Sequence, residues 1–389
     1  MTPSFKRLAL TTLSILLYGV ASGVAMSAFN NFLNDSYRLN PDTRGWLELP
    51  REFPGFMTSV TASLFFFLSD RRMAILALSI AAFGQLMMVS VGSVFSFLIL
   101  FMMIWSVGDH LYFPAKSALI LVCSREENRG RVLGMTGSFE VAGIILGGVT
   151  TRFLATRADG YFMMFAVAST ANLLAALVLL FLSEETQFAA RRSRIVFRRQ
   201  YGLYYVLEFL FGARKQIFLT FGPWVLIQVY GRGVETFAIL TIVGHILALA
   251  ARPLVGWAID RFGERLVLMV DSMLLIFVCL GYAFADHIPI VAWCLPVSLA
   301  CFLLDQLLFY VDVARTTYLA RIVRDRSDLS GCLSTAVSVN HIASMTIPIF
   351  AGSLWTAAGH ETLFVGAAVL ALSMVFAASR VPAHVSLSR

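Results

Sequence analysis

Two adjacent cations, Arg214 and Lys215, lie in a stretch of sequence that is otherwise almost wholly apolar. The residues before them read YGLYYVLEFLFGA and those after them read QIFLTFGPWVLIQVYG. A guanidinium or an ammonium in such surroundings could bind an anion, or it could neutralise a carboxylate on a neighbouring segment. What this pair does therefore depends on what surrounds it.

Other ionisable residues occupy similar apolar stretches. WSVGDHLYFPAKSAL (105–119) contains an aspartate, a histidine and a lysine, and LLDQLLFYVDVARTTYL (303–319) contains two aspartates and an arginine. Asp109 and Lys116 are seven residues apart, as are Asp305 and Asp312, so each pair is expected on one face of a helix. Further polar residues of this kind are Glu140, His245, Asn340 and His341. A lone histidine such as His245 is expected to serve packing or hydrogen bonding.

The composition shows what kind of segment carries these residues. The chain has 389 residues, of which 58% are hydrophobic and 14% are charged, and its mean hydropathy is +0.79. Soluble domains are about a quarter charged. Apolar runs of about 20 residues, the length of a bilayer span, recur along the chain, whereas a β-barrel would show alternating segments of about 10 residues. The sequence therefore predicts an all-α protein with many membrane spans. The five cysteines are interpreted as helix-packing residues.

Twelve spans separate at charged or Gly/Pro-rich breaks, and the apolar run after the basic N-terminus is long enough to be the first of them. Of the 30 Lys and Arg residues, we assign 19 to the N-terminal side, 6 to the other side and 5 to the spans. The positive-inside rule then places both termini in the cytoplasm. We number the spans in chain order: 8–32, 47–69, 73–92, 95–123, 131–152, 160–183, 203–229, 235–257, 266–285, 289–319, 331–354 and 361–379.

The two halves of the chain repeat each other. LLYGVAS (16–22) aligns with FLFGARK (209–215), FLSDRR (67–72) with WAIDRF (257–262), and PAKSAL (114–119) with VARTTY (313–318). The three matches occur in the same order at offsets of 193, 190 and 199 residues. This pattern predicts two pseudo-symmetric six-helix bundles, a relation known among secondary transporters. We expect bundles at 1–183 and 203–389, joined by a basic cytoplasmic linker at 184–202.

One loop resembles a known signature. GWAIDRFGER (256–265), between spans 8 and 9, is similar to the G-x-x-x-D-R-x-G-x-R loop of the major facilitator superfamily. FFLSDRRMA (66–74), between spans 2 and 3, keeps the Asp-Arg pair but lacks the glycines. In this family such loops latch the two halves on the cytoplasmic side; the alternative is a plain Arg-rich turn. The expected gate residues are Gly256, Asp260, Arg261, Gly263, Arg265, Asp70 and Arg71.

The fifth span carries a weaker similarity. GMTGSFEVAGIILGG (134–148) matches part of the fifth-helix signature of antiporters in the same family, but it lacks the proline and the closing glycines. Small residues at such spacing also serve ordinary helix packing. Packing is the interpretation that we favour for these glycines.

The resemblance implies that helices 1, 4, 7 and 10 line a central cavity. Four cations against three carboxylates on spans 4, 7 and 10 favour an anionic or zwitterionic substrate, and the alternative is a set of ion pairs that fix helix register. The expected substrate-binding residues are Arg214, Lys215, Lys116, Arg315, Tyr112 and Asn340. The expected proton-coupling residues are Asp109, Asp305, Asp312 and Glu140. Glu208 and Arg252 are discounted because they lie near the cytoplasmic ends of their spans.

The adjacent cations are expected inside the membrane. If span 7 began after them, residues 216–231 would reach only about 24 Å at 1.5 Å per residue, short of a core of about 30 Å. Neighbours on a helix point about 100° apart, so Arg214 and Lys215 cannot face one point. We expect Arg214 to bind the substrate and Lys215 to pair with a carboxylate of a neighbouring helix.

The start of span 2 reads ELPREFPGF (48–56). Glu48, Arg51 and Glu52 are about one turn apart and predict a local salt-bridge cluster. An outer gate is the more specific hypothesis for this cluster.

These features favour a carrier that works by alternating access, driven by protons, in the inner membrane. No phosphate-binding loop, dinucleotide fold signature, serine elbow or metal-ligand spacing is found in the sequence, so an enzyme is not expected. The alternatives are a multidrug, amphiphile or lipid exporter of the same fold and a membrane sensor without turnover. The expected partners are a small solute, protons and the bilayer. Nucleic acid, a cofactor and oligomerisation are not expected.

Overall fold

The computed structural model describes residues 3–58, 68–91, 94–124, 128–183, 196–323 and 326–383. Within these residues the chain forms α-helices and short 3-10 segments, and no β-strand occurs there. Eight of the described helices are long and apolar enough to cross a membrane. The protein therefore spans the bilayer several times, as the composition predicted.

In the first half, the helices follow the predicted spans. Span 2 is described as far as residue 58, and the rest of it lies outside the described residues, as does the predicted linker up to residue 195. The helices are Pro3–Tyr37, Pro41–Trp46, Glu48–Phe56, Asp70–Ser90, Phe95–Val122, Arg129–Leu154 and Gly160–Leu180.

In the second half, two pairs of spans are nearly continuous. Val234–Phe284 contains spans 8 and 9, and Arg326–Ser379 contains spans 11 and 12. Each is broken at one glycine with a positive φ, Gly263 at 78° and Gly359 at 85°, a conformation that other residues rarely adopt. Span 7 is Gly202–Gln228. Every predicted span thus contains a described helix.

Span 10 is interrupted. It consists of the helix Val291–Leu308, a 3-10 segment Phe309–Asp312 and the helix Val313–Ile322. A 3-10 segment advances about 120° per residue instead of about 100°, so four such residues add roughly 80° of rotation. Asp305 is buried whereas Asp312 is exposed. The two aspartates therefore end about 60° apart around the helix axis instead of about 20°, and they lie in different surroundings.

The described chain divides into two compact units. Unit 1 contains 1–38, 53–192 and 232–245, and unit 2 contains 39–52, 193–231 and 246–389. Residues 39–52 of the first half thus belong to unit 2, and residues 232–245 of the second half belong to unit 1. The two segments have equal length. They are 193 residues apart, which is the offset between LLYGVAS and FLFGARK in the repeat. The domain bounds 1–183 and 203–389 stay a prediction.

Corresponding glycines pack the helices of each unit. In unit 1, a Cβ on Gly19 would collide with the carbonyl oxygen of Glu140, so spans 1 and 5 touch backbone to backbone. In unit 2, a Cβ on Gly212 would collide with the carbonyl oxygen of Asn340, so spans 7 and 11 do the same. The repeat aligns Gly19 with Gly212, and the contacts of the two glycines correspond.

The end of the linker is attached to span 11. Val196 N–H donates to Thr335 Oγ1 at 3.1 Å, Arg198 pairs with Asp328 at 2.8 Å, and the Tyr201 hydroxyl donates to Asp328 at 3.0 Å. Burial, together with this hydrogen bond to a carboxylate, raises the pKa of Tyr201 above its usual range. These contacts set where span 7 begins.

Candidate functional site

In unit 1, the functional candidates meet at one ion pair. The Lys116 ammonium donates to both carboxylate oxygens of Glu140, at 2.7 and 2.9 Å, and so joins span 4 to span 5. The two side chains keep 15% and 25% of their surface exposed. A partly exposed pair of opposite charges can exchange its internal bond for bonds to a ligand, because both groups can be reached.

Aromatic rings surround this lysine. Its ammonium lies 5.4 Å from the ring centroid of Tyr18 and 5.7 Å from that of Phe113, within cation–π range. The Tyr112 ring packs on Tyr18 with centroids 4.5 Å apart, and Tyr112 is buried in the unit 1 core. Asp109 is partly exposed and close enough to Tyr18 to interact electrostatically. Tyr112 therefore shapes the wall behind Lys116 in this conformation.

In unit 2, Arg214 pairs with Asp305. Its Nη2 donates to the carboxylate at 2.8 Å, and both residues are buried, with Arg214 only 1% exposed. The guanidinium carbon lies 4.5 Å from the ring centroid of Phe309. Its Nε and Nη1 atoms are buried and have no hydrogen-bond partner among the described residues. Arg214 is thus buried within unit 2, and its placement inside the membrane stays a prediction. The residue that we expected to bind substrate already has a carboxylate partner.

Lys215 points towards the start of span 2, which belongs to unit 2. Its Nζ is 3.7 Å from a Glu52 oxygen, and the lysine is 20% exposed. The same oxygen lies 3.1 Å from Nδ1 of His341. The expectation that Lys215 faces a carboxylate of a neighbouring helix is thus confirmed, and of the two adjacent cations the lysine is the more accessible.

The predicted salt-bridge cluster at the start of span 2 is also confirmed. Arg51 bonds Glu48 at 2.6 Å and approaches Glu52 at 3.3 Å. The structure adds two partners that the sequence did not identify. Arg44 pairs with Glu48, and Gln216 of span 7 donates to Glu48 at 2.6 Å.

Arg315 has a partner that we had discounted. Its Nε donates to Glu208 at 3.0 Å, and both residues are buried. Its guanidinium carbon lies 3.5 Å from the ring centroid of Phe211. Discounting Glu208 was therefore wrong, because position near a helix end does not decide burial when neighbouring helices cover that end. The Asn340 amide lies 3.5 Å from the Glu208 carbonyl, beside the Gly212 contact.

Asp271 is a buried carboxylate that was not among the residues predicted from the sequence. It is the single carboxylate in LVLMVDSMLLIFVCL (266–280) of span 9, and it is 5% exposed. It interacts electrostatically with Arg214 and Arg315. The signal was present, since a charged residue within an apolar span is a functional candidate by default.

The loop between spans 8 and 9 turns at a glycine of the quoted motif. Gly263 takes the positive φ that ends one helix and begins the next, whereas Gly256 has open space around it. Asp260, Arg261 and Arg265 are exposed. In unit 2 it is Glu264 that lies near a cation of another span, 3.3 Å from Arg321.

The corresponding loop in unit 1 makes a helix cap. Arg71 donates to the carbonyls of Leu179 and Leu180 at 2.9 and 2.8 Å, at the end of span 6. A cation at this position satisfies free carbonyls and complements the helix dipole. Asp70 is the first residue of the span 3 helix, where a carboxylate is favourable.

The glycines of span 5 pack against span 1. A Cβ on Gly143 would collide with the Leu16 carbonyl and one on Gly147 with the Val20 carbonyl, whereas Gly134 has open space. The packing interpretation is thus confirmed for Gly143 and Gly147. His245 is buried and contacts the Thr241 carbonyl at 2.8 Å, as expected of a hydrogen-bonded packing residue.

Comparison with known proteins agrees with this architecture. The sequence model of the Major Facilitator Superfamily matches residues 11–308, so the chain belongs to this superfamily. It is a transport protein rather than an enzyme, and its fold is the all-α arrangement of twelve transmembrane helices in two six-helix bundles. A comparison with curated proteins found no match.

Several solved structures share the fold over almost their whole length. The nucleoside transporter NupG is 13% identical with a TM-score of 0.76, covering 97% of this chain and 98% of that one. A bacterial homologue of the human lysosomal transporter Spinster is 15% identical with a TM-score of 0.75, covering 98% of each chain. A D-xylose–proton symporter is 17% identical with a TM-score of 0.72, covering 97% and 98%.

Proposed function

We propose that this protein is a secondary active transporter that moves a small anionic or zwitterionic solute by alternating access, coupled to protons. The observation that carries the proposal is the partly exposed Lys116–Glu140 pair. It presents both signs of charge beside the rings of Tyr18 and Phe113. Binding sites of this kind combine apolar walls with a few fixed polar groups.

Pairing in the interior favours the zwitterion over the simple anion. An excess of cations in the sequence favoured an anion, but Lys116, Lys215 and Arg315 lie beside Glu140, Glu52 and Glu208 respectively. An anion alone would bind Lys116 and leave Glu140 without its partner. A zwitterion such as an amino acid could offer its carboxylate to Lys116 and its ammonium to Glu140, so that no charge is left unpaired.

Protons are the proposed driving ion because carboxylates in the predicted spans are available to carry them. Asp305 lies deep in unit 2 beside Arg214, Glu140 and Asp109 are partly exposed in unit 1, and Asp312 is exposed. A carboxylate that alternates between a cation partner and a bound proton can link proton movement to a change of conformation. One structural neighbour is described as a proton symporter, which agrees with this choice.

The alternatives receive less support. The partial span 5 motif was the feature that favoured a drug, amphiphile or lipid exporter, and its glycines Gly143 and Gly147 serve packing. A sensor without turnover would not need titratable carboxylates inside the membrane. We further propose the inner membrane as the location, a monomer as the active form, and cytoplasmic termini, with cytoplasmic placement of 184–202.

The proposal is tested in two steps. Thermal unfolding of the purified protein is measured against amino acids, organic anions, sugars, nucleosides and amphiphiles, and stabilisation by zwitterions or anions is expected. The stabilising solute is then labelled and offered to proteoliposomes with and without an inward pH gradient. Uptake above equilibrium that collapses with a protonophore is expected. Stabilisation by amphiphiles alone would favour the exporter, and ligand binding without uptake would favour the sensor.

A further inference from the structure

Three buried charged residues of unit 2 lie at the same depth in three different spans. Arg214 is 14 residues before the end of Gly202–Gln228, Asp271 is 13 before the end of Val234–Phe284, and Asp305 is 14 after the start of Val291–Leu308. At 1.5 Å per residue, each lies about 20 Å from the helix ends on that side. That depth is close to the middle of the bilayer.

Electrostatic interaction links all three residues. Arg214 bonds Asp305 directly at 2.8 Å. Asp271 is close enough to interact with Arg214, and the two carboxylates interact with each other. No more than 6% of the surface of any of the three is exposed. The cluster therefore holds one cation and two carboxylates in surroundings from which water is largely excluded.

The other charged groups near this cluster do not balance the second carboxylate. Arg315 also interacts with Asp271, but its guanidinium is bonded to Glu208. Asp312 is exposed. The remaining titratable neighbours of Asp305 are neutral side chains, namely Cys279, Cys301 and Tyr282. Among the described residues of this cluster, the buried guanidiniums of Arg214 and Arg315 thus face the buried carboxylates of Asp271, Asp305 and Glu208, which leaves one negative charge in excess there.

Both Asp271 and Arg214 have atoms that could form further hydrogen bonds. Oδ1 of Asp271 is buried and has no hydrogen-bond partner among the described residues, and the same holds for Nε and Nη1 of Arg214. A buried carboxylate oxygen without a hydrogen bond makes the anion costly. Two carboxylates that share one cation in a dry site cannot both be ionised at little cost.

We propose that Asp271 and Asp305 form a proton-sharing carboxylate pair around Arg214, and that the pair holds one proton in the conformation described here. The proposal adds Asp271 to the candidate residues for proton coupling. It therefore rests on the proposed proton-driven transport. The titration belongs to the pair rather than to either residue, because the two groups are coupled.

The proposed step is a simple proton transfer. In the present state, Arg214 bonds the ionised carboxylate of Asp305, and Asp271 is the neutral acid. When alternating access opens the cluster to water, the Asp271 carboxyl transfers its proton to a water molecule, which leaves as hydronium, and a second carboxylate anion remains in the cluster. The unpaired N–H groups of Arg214 can then bind this anion, so that the guanidinium lies between Asp271 and Asp305. Release of one proton thereby changes which helices Arg214 holds together, spans 7 and 10 or spans 7, 9 and 10.

The test is infrared difference spectroscopy of the full-length protein in lipid bilayers, which detects the C=O stretch of a buried protonated carboxyl group. The wild-type protein should show one such band at neutral pH. Asp271→Asn and Asp305→Asn should each abolish it, because Arg214 then neutralises the single carboxylate that remains. Arg214→Gln should roughly double the band, since both carboxylates lose their counter-ion. Asp159→Asn is the matched control and should change nothing, because Asp159 is an exposed carboxylate between spans 5 and 6 that makes no capping hydrogen bond.

Two results would overturn the proposal. A wild-type protein without the band would mean that both carboxylates are ionised. A band that survives at full strength in either single Asn variant would mean that the two residues do not share a proton. The two Asn variants decide the matter even if Arg214→Gln does not fold.

Failure of this inference can be told apart from failure of the proposed function. If the band behaves as expected but a pH gradient drives no uptake, the carboxylate pair exists and the transport proposal is wrong. If the gradient drives uptake and Asp271→Asn alters neither the band nor the uptake, transport stands and the pair does not.

Discussion

The Lys116–Glu140 pair offers the clearest way to separate a binding site from a structural ion pair. We consider Lys116→Met, Glu140→Gln and the double variant. Methionine keeps the apolar stem that packs on Tyr18 and Phe113 but removes the charge, and glutamine keeps the shape of glutamate. The single variants leave one partner charged and alone, whereas the double variant leaves neither.

The expected loss of stability in the single variants follows from the geometry of the ion pair. The lysine makes two hydrogen bonds to a carboxylate at 2.7 and 2.9 Å and lies within cation–π range of two rings. A hydrogen bond to a charged group contributes about 1.5–3 kcal/mol. Each single variant should therefore lose about 1.5–3 kcal/mol of stability. The double variant should recover most of that loss, because stranding a partner causes much of the cost.

Substrate affinity should not recover in the same way. If the pair binds a zwitterion, each single variant loses one charge-assisted contact, and affinity falls roughly 10- to 150-fold at 1.4 kcal/mol per factor of ten. The double variant loses both contacts and binds still more weakly, even though its stability is restored. Thermal unfolding and the dissociation constant of the stabilising solute are the two measurements.

One outcome would refute this reasoning. If affinity rises and falls together with stability, so that the double variant regains both, then the pair is a structural element that fixes spans 4 and 5. The binding site must then be sought elsewhere, first at Lys215, which is the more accessible of the two adjacent cations in unit 2.

Three further predictions concern packing, aromatic contact and topology. Gly212→Val should destabilise the protein by about 1–3 kcal/mol in thermal unfolding because the new side chain meets the span 11 backbone. The matched variant Gly256→Val, in open space within a helix, should be neutral or slightly stabilising. Equal losses in the two variants would contradict the packing. Arg315→Lys keeps the charge but loses the flat contact with the Phe211 ring. A loss of about 0.5–2 kcal/mol in unfolding free energy is expected. An unchanged melting curve would contradict this prediction. In a background without the five native cysteines, single cysteines at 34–46 should react with an impermeant reagent in intact cells and those at 184–202 should not; labelling of 184–202 from outside would reverse the topology.

The spans and the repeat could be predicted from the sequence because they depend on local composition. A run of about 20 apolar residues must lie in lipid or in a core wherever it occurs, so every predicted span contains a described helix. The glycine at the turn between spans 8 and 9 lies in the motif quoted from the sequence, and Gly263 takes a positive φ there. The alignment of Gly19 with Gly212 predicted corresponding positions, and the structure gives both a backbone contact of the same kind.

The partners of the buried charges were decided by tertiary structure alone. Pairing depends on the rotation and depth of one helix relative to another, which sequence spacing does not contain. Glu208 was set aside because of its place in the sequence, yet it bonds Arg315 at 3.0 Å. Asp312 was expected on the same helix face as Asp305, yet only Asp305 is buried. Asp271 was visible in the sequence as a charge in an apolar span, but its link to Arg214 and Asp305 exists only because three helices bring these residues to one depth.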